Sequence, residues 1–227
     1  MSEGSERPQL LLIDVDGTLV DSVPDLLLAV NETLEQIGRS PWPEARVREW
    51  IGNGVERLCR RALVGALEGE PEEALFQQAY PIFLERYDLH NGKHSRLYPG
   101  IVEGLDRLQA SGYRLGCVTN KAARYTLPLL AALGVGERFE LVICGDQLPR
   151  KKPDPLPLLH AAERCGVAPE SCLMVGDSIS DVQAARAAGF GIICMSYGYN
   201  HGEDIRLANP DAVVDSLVEV AERLAYR

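Results

Sequence analysis

Short, continuously apolar runs that alternate with helical segments are the feature that most constrains the fold of this 227-residue chain. The run 9–15 (QLLLIDV) is typical of a strand that is buried on both faces of a parallel sheet. Similar runs occur at 114–119, 139–144, 172–175, 190–195 and 212–214, and helices are predicted at 100–111, 121–133, 155–166, 179–188 and 216–226. The alternation predicts an α/β fold with a doubly wound parallel (Rossmann-like) sheet.

A long helical stretch interrupts this alternation after the first strand. Apolar residues recur at three- and four-residue spacing within 24–37, 55–67 and 72–87, and no strand is predicted among them. We therefore expect an inserted α-helical cap domain at 23–95 and a core domain made of 1–22 and 96–227. A helical layer packed directly on the sheet is the alternative arrangement.

Polar residues follow several predicted strands, at the edge of an open α/β sheet where ligands bind. They are Asp14, Asp16, Thr119, Asn120, Lys152, Asp177, Ser178 and Asp181. Because the carboxyl ends of parallel strands meet at one rim, these side chains are expected to converge there.

The chemistry of this set predicts phosphoryl transfer. Clustered carboxylates need a cation, and Mg²⁺ is the usual hard dication when phosphate oxygens complete its coordination, whereas no nearby His or Cys suggests zinc. Thr119, Lys152 and the N–H groups of the helix that starts near Asn120 provide a site for an anion. One carboxylate can then act as nucleophile and form an aspartyl-phosphate, and a second can act as general acid and base.

The same residues resemble the four motifs of the haloacid dehalogenase-like (HAD) superfamily. Residues 14–18 (DVDGT) resemble its DxDGT signature, and Thr119, Lys152 and 176–181 (GDSISD) resemble the other motifs in the right order. The resemblance covers nearly the whole chain, because that superfamily places an α-helical cap where the insertion occurs.

This resemblance implies a role for each matching residue. Asp14 would be the nucleophile and a metal ligand, Asp16 the general acid and base with its backbone carbonyl as a second ligand, and Asp177 the third protein ligand. Thr119, Asn120 and Lys152 would contact the phosphate. Thr18, Ser178 and Asp181 would support the site, with Thr18 bonding to the nucleophile's loop.

Three segments in and around the insertion, and one in the predicted core domain, point to one group within the superfamily. Residues 20–25 (VDSVPD), 50–54 (WIGNG), 60–63 (RRAL) and 152–155 (KPDP) resemble the bacterial phosphoglycolate phosphatases. The resemblance implies Mg²⁺-dependent hydrolysis of 2-phosphoglycolate to glycolate and phosphate. The alternatives are a phosphatase of a sugar phosphate, such as N-acetylmuramic acid 6-phosphate, and a sugar phosphomutase. Possible specificity residues of the cap are Gly52, Asn53, Gly54 and Arg57.

Simpler roles stay open for several of these residues. Asp181 could be a first-turn charge that favours the helix dipole, and Lys151 is a rival to Lys152. Residues 52–54 (GNG) could be a helix stop and a turn, and Arg57 could be a solvated helix residue.

Charge and cysteine content restrict the partners. The net charge of -10 disfavours binding to nucleic acid or to an anionic membrane surface. No signal peptide or membrane span is expected, and the six cysteines lack a CxxC pattern, which indicates reduced thiols and a cytoplasmic protein. We expect a small phosphorylated metabolite as partner and either a monomer or a homodimer.

Overall fold

A computed structural model describes residues 7–225 and contains two sheets. The strands are β1 (Leu10–Ile13), β2 (Val20–Asp21), β3 (Arg96–Leu97), β4 (Arg114–Val118), β5 (Leu141–Ile143), β6 (Cys172–Gly176), β7 (Gly191–Met195) and β8 (Ala212–Val214). Six of them form a parallel sheet in the order β5-β4-β1-β6-β7-β8, and β2 pairs with β3 in a two-stranded antiparallel ribbon. The order reverses direction at β1, which confirms the predicted doubly wound α/β sheet.

The central strand shows why its sequence is apolar without alternation. All four residues of β1 are fully buried, and Leu12 pairs with Gly116 on one side and with Met174 on the other. Leu11 and Ile13 pack into one hydrophobic cluster, whereas Leu10 and Leu12 pack into a second cluster across the sheet. Both faces are therefore covered, as expected for a parallel sheet.

Helices cover these two faces and also form the insertion. They are α1 (Val23–Gln36), α2 (Glu44–Trp50), α3 (Val55–Val64), α4 (Glu73–His90), α5 (Ile101–Ala110), α6 (Ala123–Ala132), α7 (Leu156–Cys165), α8 (Ile179–Ala188) and α9 (Leu217–Ala225). Helices α5, α6 and α9 pack on one face of the parallel sheet, and α7 and α8 pack on the other.

The predicted cap region contains α1 to α4, which share a third hydrophobic cluster. The sequence pattern predicted three of these helices and did not resolve α2, whose seven residues bury only Val47 and Trp50. The β2–β3 ribbon was also missed, because two-residue strands carry no periodicity. This ribbon lies where the chain enters and leaves the helical region, with Val20 opposite Leu97 and Asp21 opposite Arg96.

Two further sequence expectations concern the thiols and the membrane. The six cysteines are free. Within residues 7–225, no helix combines the length and the apolar content that crossing a bilayer would require.

Candidate active site

A cleft of about 660 Å³, including its open mouth, lies at the carboxyl ends of β1, β4 and β6. Most of the predicted site residues line it: Asp14, Asp16, Gly52, Asn53, Gly54, Thr119, Asn120, Lys152, Asp177, Ser178 and Asp181. Thr18 and Arg57 lie outside this lining. Residues from the parallel sheet and from the helical insertion thus face the same space.

The turn after β1 brings its two acids to the cleft. The N–H of Asp14 still donates to the carbonyl of Val175, at 3.0 Å, and so continues the sheet by one residue. Gly17 then adopts a φ of 86°, in the left-handed region that favours glycine. A Cβ at this position would lie 2.3 Å from Oδ2 of Asp177. Glycine is therefore required both by the turn and by the close approach of Asp177.

Three carboxylates form the acidic centre of the cleft. Oxygen atoms of Asp14, Asp177 and Asp181 lie within 4.8 Å of one another, so this group could hold a metal ion. Burial raises the pKa of Asp14 from 3.8 to about 6, although Lys152 opposes the shift. Burial and the neighbouring aspartates raise the pKa of Asp177 well above its ordinary value. The cluster therefore favours a bound proton or a bound cation.

Two hydrogen bonds fix the carboxylate of Asp177, one from the Thr18 hydroxyl and one from a backbone N–H. The hydroxyl of Thr18 donates to Oδ1 at 2.7 Å, and the N–H of Tyr199 donates to Oδ2, also at 2.7 Å. Thr18 also bonds within the loop that contains Asp14, as expected, because its N–H donates to the carbonyl of Val15 at 3.2 Å. Its side chain in addition orients the carboxylate of Asp177, which follows the neighbouring strand β6. Such outer contacts fix the direction in which a ligating carboxylate points.

Of the adjacent lysines 151 and 152, Lys152 is the one that contacts the acidic centre. Its Nζ lies 3.1 Å from Oδ1 of Asp14 and 2.7 Å from Oδ1 of Asp181. It also donates to the carbonyl of Val118 at 2.8 Å. Burial opposes the charged form, but the two aspartates outweigh it and raise the pKa of Lys152. The adjacent Lys151 is exposed and donates to the carbonyl of Asn53.

The two carboxylate oxygens of Asp181 bind different partners, one the start of helix α8 and the other Lys152. Its Oδ2 accepts hydrogen bonds from the N–H groups of Asp177 and Ser178, at 3.2 and 3.1 Å, and from the Ser178 hydroxyl, at 2.7 Å. Its Oδ1 faces Lys152. The helix-terminus role and the support of Lys152 are therefore compatible, because each uses a different oxygen.

Thr119 and Asn120 extend β4 into the cleft. The N–H of Thr119 donates to the carbonyl of Ile143 at 3.0 Å and so keeps the strand register. Asn120 donates from Nδ2 to the carbonyl of Lys152 at 2.8 Å, while its Oδ1 is buried without a hydrogen-bond partner among the described residues. Asn120 thus positions the backbone of the lysine that contacts the acids.

Loop 52–54 of the helical insertion is anchored by an arginine that the sequence did not single out for the site. Arg61 is buried and donates to the carbonyl of Trp50 at 2.8 Å and to Oδ1 of Asn53 at 3.2 Å. Arg57, one turn earlier on α3, pairs with Glu68 and Glu70 instead of reaching the cleft.

Lys121 also lines the cleft and was not assigned a role from the sequence. It directly follows Thr119 and Asn120, so its position at a strand end was the available signal. Burial opposes its charged form, but Asp16 and Tyr87 outweigh this and raise the pKa of Lys121.

Tyr199 and His201, which follow β7, line the cleft as well. They were missed because no polar motif marked the end of that strand.

Comparisons with known proteins agree with this geometry. A family model described as haloacid dehalogenase-like hydrolase matches residues 8–189. The chain is 59% identical to a phosphoglycolate phosphatase of Nitrosococcus oceani, over 97% of this chain and 98% of that one. It is 47% identical to a phosphoglycolate phosphatase of Nitrosospira multiformis, over 93% of each chain. The crystal structure of a predicted phosphoglycolate phosphatase from Haemophilus somnus superposes with a TM-score of 0.90 at 36% identity, and the match covers 97% of this chain and 99% of that chain.

Proposed function

Because the chain belongs to the haloacid dehalogenase-like hydrolase family, we propose that it hydrolyses 2-phosphoglycolate to glycolate and phosphate. The observation that carries this proposal is the 59% identity to the phosphoglycolate phosphatase of Nitrosococcus oceani along almost the full length of both chains. The cleft supports it, because an acidic cluster and a buried lysine face one small space.

The metal in this proposal is Mg²⁺. The donors at the site are oxygen atoms of buried carboxylates, which are the ligands that this cation prefers. We propose that Asp14, Asp177 and the backbone carbonyl of Asp16 hold it. Asp181 belongs to the same geometric cluster, but Lys152 and backbone N–H groups already engage both of its oxygens. When bound, the cation would neutralise phosphate oxygens and so ease the approach of the carboxylate nucleophile.

The side chains divide the chemistry between two steps. Asp14 attacks phosphorus, so that a bond forms from its carboxylate oxygen and the bond to the glycolate oxygen breaks. Asp16 gives its proton to the departing oxygen and then takes a proton from the water that attacks the aspartyl-phosphate. Lys152 and Thr119 would hold the phosphoryl oxygens through both steps. Phosphate then leaves, and Asp14 is restored.

The helical insertion would restrict this chemistry to a small substrate. We propose that residues 23–95 act as a cap domain over a core of 1–22 and 96–227, and that loop 52–54 faces the part of the substrate beyond the phosphate. Closure of such a cap excludes bulk water until the aspartyl-phosphate has formed. Cytoplasmic location, and a monomeric or homodimeric state, stay predictions from the sequence.

A substrate panel tests this function directly. Purified protein with Mg²⁺ would be assayed for phosphate release from 2-phosphoglycolate, hexose phosphates and N-acetylmuramic acid 6-phosphate, and again after EDTA treatment. We expect the highest kcat/KM with 2-phosphoglycolate and loss of turnover with EDTA. Preference for a sugar phosphate would replace the proposed substrate, and a requirement for a sugar bisphosphate activator would indicate a phosphomutase.

A further inference from the structure

Lys121 contacts the carboxylate of Asp16 at the wall of the cleft, which both residues line. Its Nζ lies 3.0 Å from Oδ1 and 3.1 Å from Oδ2 of Asp16, so both oxygens are within hydrogen-bond distance of one ammonium group. The side chain of Lys121 is 1% exposed, whereas that of Asp16 is 20% exposed. The lysine is therefore almost completely buried in the wall of the cleft, whereas the carboxylate beside it is more accessible.

The third contact of this ammonium group comes from the helical insertion. Lys121 also donates to the hydroxyl of Tyr87, which is fully buried near the end of α4. The ring of Tyr87 lies 4.4 Å from that of Tyr125 on α6 and 6.0 Å from that of Phe83, measured between centroids. Aromatic packing thus holds the hydroxyl in place at the junction of the helical insertion with the core.

These contacts leave little freedom to the Asp16 side chain. Thr18 and Lys152 engage the other acids of the cleft, whereas Lys121 is the cation that contacts Asp16 among residues 7–225. A proton donor must be directed at the oxygen that it serves, and a misplacement of about 1 Å can cost about 100-fold in rate.

We propose that Lys121 is a positioning residue that directs Asp16 for proton transfer, and that Tyr87 links this position to helix α4. Lys121 contributes N–H bonds, while the transferred proton moves between Asp16 and the leaving oxygen or water. The inference rests on the proposed function, since it assumes that Asp16 is the general acid and base.

Two substrates separate the positioning role from a structural one. An alkyl phosphate such as 2-phosphoglycolate needs a proton on its leaving oxygen, whereas p-nitrophenyl phosphate releases a stable phenolate without one. In Lys121→Met we expect kcat for 2-phosphoglycolate to fall by about 100-fold. The rapid first release of nitrophenol should persist near its wild-type rate, followed by slow turnover, because the attacking water still needs Asp16 as base. Asp16→Asn should show the same pattern.

Tyr87→Phe provides a milder change that keeps the aromatic ring. We expect kcat for 2-phosphoglycolate to fall by about two- to tenfold, the factor set by one hydrogen bond. The same change made in Lys121→Met should cause no additional loss, because the two residues act in one chain of contacts. Lys93→Met at an exposed lysine is the matched control for the charge. Tyr125→Phe removes a hydroxyl that has no hydrogen-bond partner among the described residues and is the control for the phenol.

Several results would overturn the inference. Wild-type kcat in Lys121→Met would remove the positioning role, and equal loss of the nitrophenol burst would indicate a general defect of the site. A change confined to KM for 2-phosphoglycolate would mean that Lys121 binds the substrate carboxylate. If the wild-type protein hydrolyses neither substrate, or if Asp16→Asn behaves like the wild type, the proposed function fails instead.

Discussion

Replacement of Lys152 by methionine would leave two buried carboxylates without their shared countercharge. The ammonium group lies 2.7 Å from Asp181 and 3.1 Å from Asp14, and the lysine side chain is 1% exposed. Removal of one partner from a buried ion pair costs about 3–5 kcal/mol. This is a large part of the roughly 5–15 kcal/mol that separates folded from unfolded domains. Methionine keeps most of the side-chain volume, so the loss would report charge more than packing.

The loss of stability in Lys152→Met should be larger at high pH than at low pH. Burial raises the pKa of Asp14 from 3.8 to about 6 against the opposing effect of Lys152. A raised carboxyl pKa favours folding in the protonated state, so this contribution to stability declines as pH rises from 3.8 to about 6. Without Lys152, ionised Asp14 is disfavoured further. The variant should therefore lose most stability above about pH 6, and the difference should shrink near pH 5, where Asp14 is largely protonated in both native proteins.

Urea unfolding of the metal-free proteins at about pH 5 and about pH 8 measures this difference. Lys151→Met is the matched control, since the Lys151 side chain is exposed and, among the described residues, bonds only to the carbonyl of Asn53, at 3.2 Å. Its free energy of unfolding should stay within about 0.5 kcal/mol of the wild-type value. An equal loss for Lys152→Met at both pH values would refute the electrostatic reasoning, and so would a larger loss in the control.

Two more predictions concern the metal. Thr18→Val removes the 2.7 Å hydrogen bond to Asp177, and Mg²⁺ affinity measured by calorimetry should fall by about 10- to 100-fold. Thr33→Val, which removes a buried hydroxyl bonded to the carbonyl of Ala29, should leave that affinity unchanged; equal affinities in both variants would contradict the orienting role of Thr18. Mg²⁺ affinity should also fall as pH is lowered through about 6, because protons compete for Asp14 and Asp177, whose pKa values are raised. A flat affinity profile between about pH 5 and pH 7 would show that neither carboxylate takes up a proton in that range.

The periodicity of the sequence predicted the elements whose burial pattern is regular. Helix α8 and strand β8 have the predicted bounds, and β1 differs from its prediction only at its ends. Helix α2 has no long apolar face of its own, and β2 and β3 pair across the whole helical region, so neither element leaves a local signal. Local patterns report local burial, whereas these elements depend on distant contacts.

The same distinction applies to the cleft. Asp14 and Asp177 directly follow strands and Lys152 precedes Pro153, each within a motif, and the fold brings the three together. Lys121 also follows a strand, but nothing in the local sequence indicates its partner Asp16, which lies 105 positions away in the chain. The sequence left Arg57 open as either a specificity residue or a solvated helix residue, and the structure pairs it with Glu68 and Glu70 outside the cleft lining. Neither pairing could be inferred without the tertiary structure.

Acid-quench mass spectrometry during turnover of 2-phosphoglycolate tests the central claim most directly. With Mg²⁺ present, we expect one phosphoryl group on the peptide that contains Asp14, and we expect none after EDTA treatment or in Asp14→Asn. Steady phosphate release without this phosphopeptide, or full turnover in Asp14→Asn, would contradict an aspartyl-phosphate mechanism at this cleft.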